Sequence, residues 1–292
     1  MKKSKVYPIW FLFGAVALYA LLFVLPNLMG IYYSLTDWSR YHSDMNFVGL
    51  ENYRKVFSGG EKYMADIQKT LLFTLITTVL KIVISVALAL LLQQAMRGRN
   101  LYRTILFLPS VLPFLIIGLI FKSILHPSTG LLNESLRALG LEGLTRQWLV
   151  DISTAFGTII AVDIWRGAGY CMTIVLAGLQ SIPSSYFEAA RIDGANYFKT
   201  LRYITLPFLV PSMSVVGVLS IIYGLKVFDI VYVLTNGGPG YATEVLNAAV
   251  FKEFAKGTFA VGSALSTVMF LFMGVISFFL IRGLNGKEEA LQ

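Results

Sequence analysis

The residues best placed for chemistry are charged groups where charge is costly. Lys81 falls near the middle of one apolar run, and Asp163 and Arg166 fall within another. A charge at mid-membrane depth costs roughly 2.5–3.5 kcal/mol, so such groups avoid lipid and pair with one another or line a polar path. Asp163 and Arg166 are three apart on a helix and either neutralise each other or serve that path directly. Lys81 lacks a partner in its own run, and it either pairs with Asp163 across helices or lines a water-filled cavity. A second group, Tyr223, Lys226 and Asp229, ends a later run. Polar groups beside aromatics suit sugar hydroxyls and ring faces, but the same residues also anchor a helix end at the membrane surface.

Other chemistry finds no support. His42 and His126 are isolated from further ligands at metal spacing, and no Gly-x-Ser-x-Gly or His-Glu-x-x-His occurs. No acids and histidines cluster as an integral membrane enzyme would need. The phosphate-cradling Gly-x4-Gly-Lys-Ser/Thr is also missing, so the chain is not expected to hydrolyse ATP itself. Cys171, the one cysteine, sits in an apolar run and reads as a packing group. No metal or cofactor is expected in this chain, and no enzymatic activity.

The elements that must hold these charges follow from composition. Of 292 residues 56% are hydrophobic and only 14% charged, with a mean hydropathy of +0.70; soluble domains carry about 25% charge. The net charge of +8 is scattered over short linkers and does not form the basic face that nucleic acid requires. Apolar runs long enough to cross about 30 Å of hydrocarbon as helices lie near Ile9 to Met29, Leu71 to Leu92, Ile105 to Leu125, Ile152 to Leu176, Leu206 to Leu225 and Ala260 to Ile281. In lipid each must satisfy its own backbone hydrogen bonds, so each is helical. The chain therefore reads as one all-α polytopic membrane domain, 1–292, with six spans. The N-terminus lacks a cleavage site and reads as a retained first span. Linkers with Lys2, Lys3, Lys5, Arg97, Arg99, Arg103, Arg191, Lys199, Arg202, Arg282 and Lys287 fall on one side, which places both termini in the cytoplasm. The opposite face carries the segments Tyr32 to Lys69, His126 to Asp151 and Lys226 to Phe259, which read as small caps.

The cytoplasmic loop 180–207 carries the most local information. Ser185 and Glu188 have capping-box spacing after Pro183, so a helix begins there and ends at Gly194, where left-handed backbone is cheap. Asn196 caps a second turn, and Tyr197, Leu201 and Ile204 recur on one helical face. The run Glu188-Ala189-Ala190-x3-Gly194-x9-Ile204-x-Leu206-Pro207 resembles the EAA loop of permease subunits of bacterial ATP-binding-cassette importers. Shorter segments, Phe47-Val-Gly-Leu-Glu-Asn-Tyr53, Leu176-Ala-Gly-Leu-Gln-Ser-Ile-Pro183 and Thr235-Asn-Gly-Gly-Pro-Gly240, are similar to the carbohydrate-uptake branch related to maltose and glycerol-phosphate permeases, in its compact form without a large external domain.

This resemblance implies a type I importer permease fold in the bacterial cytoplasmic membrane, with coupling helices that dock an ATPase through Glu188, Ala189, Ala190 and Gly194. Alanines allow close approach, Gly194 allows the turn, and Glu188 either offers charge to a basic partner or caps its own helix. The implied partners are a second, non-identical permease subunit, two ATPase subunits that bind ATP and Mg, and an extracytoplasmic substrate-binding protein. The implied activity is uptake of a sugar or related small polar solute by alternating access. An ion-gradient carrier or channel without an ATPase is the alternative that the intramembrane charges allow.

Overall fold

A computed structural model describes residues 10–41, 44–58, 61–93 and 97–288. His42 lies outside them, as do the side chains of Arg282 and Lys287. Among the described residues every regular element is helical, apart from a single bridge between Thr36 and Phe47. In chain order the α-helices are α1 Trp10–Tyr19, α2 Leu25–Ser34, α3 Glu51–Ser58, α4 Glu61–Gln93, α5 Arg99–Val111, α6 Phe114–Ile124, α7 Leu131–Ala138 and α8 Ile152–Gln180. They continue with α9 Ser184–Ile192, α10 Tyr197–Thr200, α11 Leu206–Leu225, α12 Asp229–Thr235, α13 Leu246–Lys256 and α14 Phe259–Glu288.

Five helical stretches are long and apolar enough to cross a bilayer: Leu12–Ser34, Lys62–Gln93, Ile152–Gln180, Tyr197–Leu225 and Phe259–Phe278. Most run past the apolar runs of the sequence, because polar residues continue a helix beyond hydrocarbon at no cost. The run Ile105 to Leu125 is not one rod. It divides into α5 and α6, bent by 101° at Leu112-Pro113. Pro113 has no N–H to continue the ladder and forces Leu112 out of helical backbone, which is extended there at ψ 135°.

Two of the long helices contain a wide turn, Ala20–Val24 and Leu201–Thr205, closed by bonds from Leu25 N to Ala20 O and from Leu206 N to Leu201 O. Each lies just before a proline, Pro26 or Pro207. A wide turn relieves the clash of the proline ring with the carbonyl one turn back without ending the helix.

The helices form two compact units, residues 1–65 with 249–272 and residues 66–248 with 273–292. In the first, Tyr33, Trp38 and Phe259 stack in series at 4.4 and 4.7 Å between centroids. Asn52, buried, donates to the carbonyls of Ser34 and Thr36 and so ties α3 to the end of α2. Arg40 N bonds Gly257 O, and Ala260 N bonds Trp38 O. The stretch Leu12–Ser34 leaves its apolar side chains exposed, as befits a helix facing lipid or another subunit.

In the second unit α8 is central and packs against α5, α11 and α12. Lipid tails are as apolar as leucine, so helices in a membrane associate through close packing of small residues. Gly169 is the clearest instance. A Cβ there would lie inside the Leu106 carbonyl, so the α5 backbone touches α8 only because residue 169 has no side chain. A lower core of Ala89, Leu92, Met172, Val175, Leu176, Leu179 and Leu209 fills the end toward α9. An upper core of Phe73, Ile117, Ile159, Ile230 and Val231 fills the other end. The segment after α6 is held by Asn133, which donates to Pro127 O and Arg146 O and accepts from Trp148 Nε1 at 2.8 Å.

Candidate functional site: a charged cavity and an exposed elbow

Between the two cores of the second unit lies a polar layer. Lys81 of α4 donates to Asp163 Oδ2 of α8 at 2.6 Å, and Tyr223 of α11 donates its hydroxyl to Asp163 Oδ1 at 3.0 Å. Asp163 is fully buried and Lys81 is 4% exposed. The ammonium also sits 4.7 Å from the centre of the Tyr223 ring. One carboxylate thus ties three membrane-crossing helices, with both oxygens engaged. This resolves the alternatives for Lys81 and Asp163: they pair across helices, and Lys81 in addition lines a cavity.

Arg166 does not pair with Asp163. One turn on from it, the guanidinium lies over the Phe114 ring at 3.8 Å, and Nη2 makes a long 3.5 Å contact to the Ser110 carbonyl. Its Nε has no hydrogen-bond partner. Phe114 in turn lies parallel to the Tyr223 ring, with centroids 6.4 Å apart. These groups surround a cavity of about 310 Å³ whose walls include Lys81, Ser110, Arg166, Cys171, Ser220 and Tyr223. Ser110 and Phe114 escaped the sequence reading. Pro109 and Pro113 in an apolar run were the available signal, since a proline-broken helix exposes backbone and re-aims side chains. Cys171 is buried, as expected of a packing group, yet it also borders the cavity.

Lys226 and Asp229 are not brought into this cavity. Lys226 ends α11 with an exposed side chain, its carbonyl accepting from Asn247 Nδ2 at 3.0 Å. Asp229 is exposed in the first turn of α12, where a carboxylate suits the positive end of the helix. His126 is a turn residue whose Nδ1 faces Thr129 and Ser128. Among the described residues no three histidine, cysteine or acidic side chains converge as metal ligands would.

The second site is the elbow between α8 and α11. The expected capping box does not form: α9 starts at Ser184 with Pro183 in the cap position, and no side chain caps it. Glu188 is exposed and makes no hydrogen bond or ion pair among the described residues, which leaves its carboxylate for a partner. The helix ends as the glycine demands. Gly194 has φ +70°, Gly194 N bonds Arg191 O, and Ala195 N bonds Ala190 O at 2.8 Å, the paired bonds of a Schellman ending. Asn196 then caps α10 by accepting from Lys199 N at 2.9 Å.

Of the four sequence-marked docking residues, Glu188, Ala189 and Gly194 are exposed, while Ala190 is buried beneath them. Tyr186 packs on Phe208 at 4.8 Å and fastens α9 to α11. Two apolar side chains not singled out from the sequence stand out from the elbow, Ile192 at 87% exposure and Phe198 at 76%. The stretch Tyr197–Leu225 runs from the elbow to Tyr223 as one helical path.

Residues 81–287 match the family described as binding-protein-dependent transport system inner membrane component. The chain is 35% identical over 99% of its length to a probable ABC transporter permease protein, YurN, of Bacillus subtilis (strain 168), and spans all of that protein. It is also 35% identical over 89% of its length to the trehalose/maltose transport system permease protein MalF of Thermococcus litoralis, covering 87% of it. The multiple sugar-binding transport system permease protein MsmF of Streptococcus mutans is 34% identical, over 96% of this chain and 95% of the relative. In three dimensions the chain resembles a crystal structure of a bacterial ABC transporter involved in alginate import, with a TM-score of 0.82 at 23% identity over 95% of this chain and 96% of that one. The sequence motif of the elbow, the helical fold around a polar intramembrane layer and this family match agree: the chain belongs to the binding-protein-dependent inner membrane components, the multi-pass permease subunits of ATP-binding-cassette importers.

Proposed function

We infer that this permease conducts a sugar or related small polar solute, one molecule at a time, by alternating access driven by ATPases on separate polypeptides. The observation that carries the reading is the unbroken helical path from the exposed elbow at Tyr197 to Tyr223 beside the cavity. A rigid rod transmits a displacement at one end to the other, and Tyr223 releases or regains Asp163 as α11 moves. The names of relatives, trehalose/maltose and multiple sugar-binding permeases among them, support the solute class.

In this reading Glu188, Ala189 and Gly194 form the docking surface, joined by Ile192 and Phe198, with Ala190 packed beneath it. Lys81, Asp163, Arg166 and Tyr223 line or brace the solute path. Lys226 and Asp229 bear on it only near its external end. Both helical units belong to one permease domain, with the termini in the cytoplasm. The partners are a second permease subunit, two ATPase subunits that hold ATP and Mg, and an external binding protein. A structural relative crystallised with an alginate pentasaccharide-bound periplasmic protein supports the last of these.

The test is Glu188→Lys in the assembled complex reconstituted in proteoliposomes. The expected result is retained basal ATP hydrolysis with loss of solute-stimulated hydrolysis and uptake. Full stimulation with docking intact would remove the coupling role, and uptake by this chain alone would point to an ion-gradient carrier instead.

A further inference from the structure

We propose that the intramembrane cavity is built for an oxyanion, the carboxylate or phosphate of an acidic sugar, with Arg166 as the residue that selects it. This rests on reading the cavity as part of the solute path. The argument is one of charge. Two cations, Lys81 and Arg166, stand in the cavity wall, and no acidic side chain does. Asp163 lies behind the wall at 0% exposure, with Lys81 on one oxygen and the Tyr223 hydroxyl on the other. Its charge is spent on Lys81. Arg166 has no carboxylate within ion-pair distance; its neighbours are the Phe114 face, one long contact to a carbonyl, and nothing at Nε. Asp229, the acid that follows Tyr223 in the chain, is outside the lining and exposed on α12.

A guanidinium stacked on an aromatic ring keeps its edge free, and that edge presents parallel N–H donors matched to a carboxylate or phosphate. The remaining wall offers hydroxyls, from Tyr223, Ser110 and Ser220, able to meet sugar hydroxyls around the anion. A low-dielectric cleft with an uncompensated cation concentrates anions. A neutral sugar gains hydrogen bonds there but leaves the charge of Arg166 unanswered.

Two measurements on the assembled complex in nanodiscs, with the external binding protein omitted, test this. In the first, equilibrium dialysis compares radiolabelled glucose, glucuronate and glucose 6-phosphate. At least one anionic probe is expected to bind about tenfold tighter than glucose. Arg166→Gln should bring it to the level of glucose, and Arg166→Lys, which keeps the charge but loses the paired donors, should keep only part of the preference. Preference for glucuronate alone assigns a carboxylate, for the phosphate ester alone a phosphate, and for both an oxyanion of either kind. The absence of any preference over glucose, or a preference that survives Arg166→Gln, overturns the proposal.

In the second, Cys171, the chain's only cysteine and part of the cavity wall, is labelled with anionic and cationic methanethiosulfonates and its peptide quantified by mass spectrometry. The anionic reagent should be favoured by about tenfold relative to a free thiol, a ratio set by the local field. Arg166→Gln should bring the ratio near one. An unchanged ratio, or no labelling by either reagent, counts against an anion-accessible cavity. These outcomes are separable from the importer reading, which stands or falls on ATP-coupled uptake whatever the solute's charge.

Discussion

Asp163 holds two donors on two other helices, so its removal strands Lys81 as a buried cation with no answering charge. Breaking one partner of a buried pair costs about 3–5 kcal/mol, more than losing the pair altogether. Lys81→Ala and Asp163→Asn should each lower the thermal midpoint of the purified chain in nanodiscs markedly, whereas Lys81→Met with Asp163→Leu should recover much of the loss. Tyr223→Phe deletes one hydrogen bond and should cost about 1 kcal/mol by the same measurement. A double-variant loss equal to the sum of the two single losses would show that Lys81 and Asp163 do not act as a unit.

Glu253 acts at the same scale, outside the membrane-crossing helices. Its burial opposes ionisation, but Lys256 at 2.7 Å and Thr258 on the other oxygen outweigh it and hold the carboxyl below the ordinary glutamate value of 4.5. A carboxyl with a lowered folded-state value stabilises the fold fully above its unfolded value and loses that contribution as pH falls through the folded one. Thermal midpoints measured between pH 7 and pH 3 should therefore fall below about pH 4.5. Glu253→Gln should be less stable at pH 7 and flatter across that window. Parallel curves for the two proteins would refute the assignment.

At the scale of elements, close approach and turn geometry decide. Gly169→Ala places a methyl group within the backbone of α5, so α8 must move away, and overpacking of this kind costs typically 1–3 kcal/mol. Gly274→Ala on α14 meets nothing within 4 Å and should be neutral or slightly stabilising, by up to about 1 kcal/mol, because alanine is the better helix former. Thermal unfolding of the two variants side by side checks the contrast, and equal midpoints would remove the close crossing of α5 and α8. The elbow was legible beforehand in Gly194 and Asn196, since each supplies a conformation or a cap that few other residues give. Its helix start was not. Ser185 and Glu188 have the spacing of a capping box, but Pro183 fixes backbone suited to the cap position and begins α9 two residues earlier than that box requires. The free Glu188 follows from this displacement.

At the scale of the whole molecule, membrane topology is the testable quantity. With Cys171 replaced by alanine, a cysteine at Ile192 should react with a membrane-impermeant maleimide in inside-out vesicles and be protected in intact cells. One placed at Glu142, in the segment after α6, should show the reverse. Labelling of both from one side would contradict the assigned orientation.

Composition and run length alone determined that the chain is helical and crosses a membrane, because hydrocarbon permits no unpaired backbone and 14% charge cannot cover a soluble surface of this size. The elbow's turn was likewise local, written in residues whose backbone preferences need no distant partner. Tertiary structure decided the rest. Whether Arg166 or Lys81 answers Asp163 depends on which face of α8 meets α4, and residues 82 apart in sequence come within 2.6 Å only through packing. Helical spacing allowed Arg166, yet the aromatic face of Phe114 beyond the bend at Pro113 claimed it. A cavity is likewise a property of surfaces brought together, and no pattern along one chain segment specifies the volume that several helices leave between them.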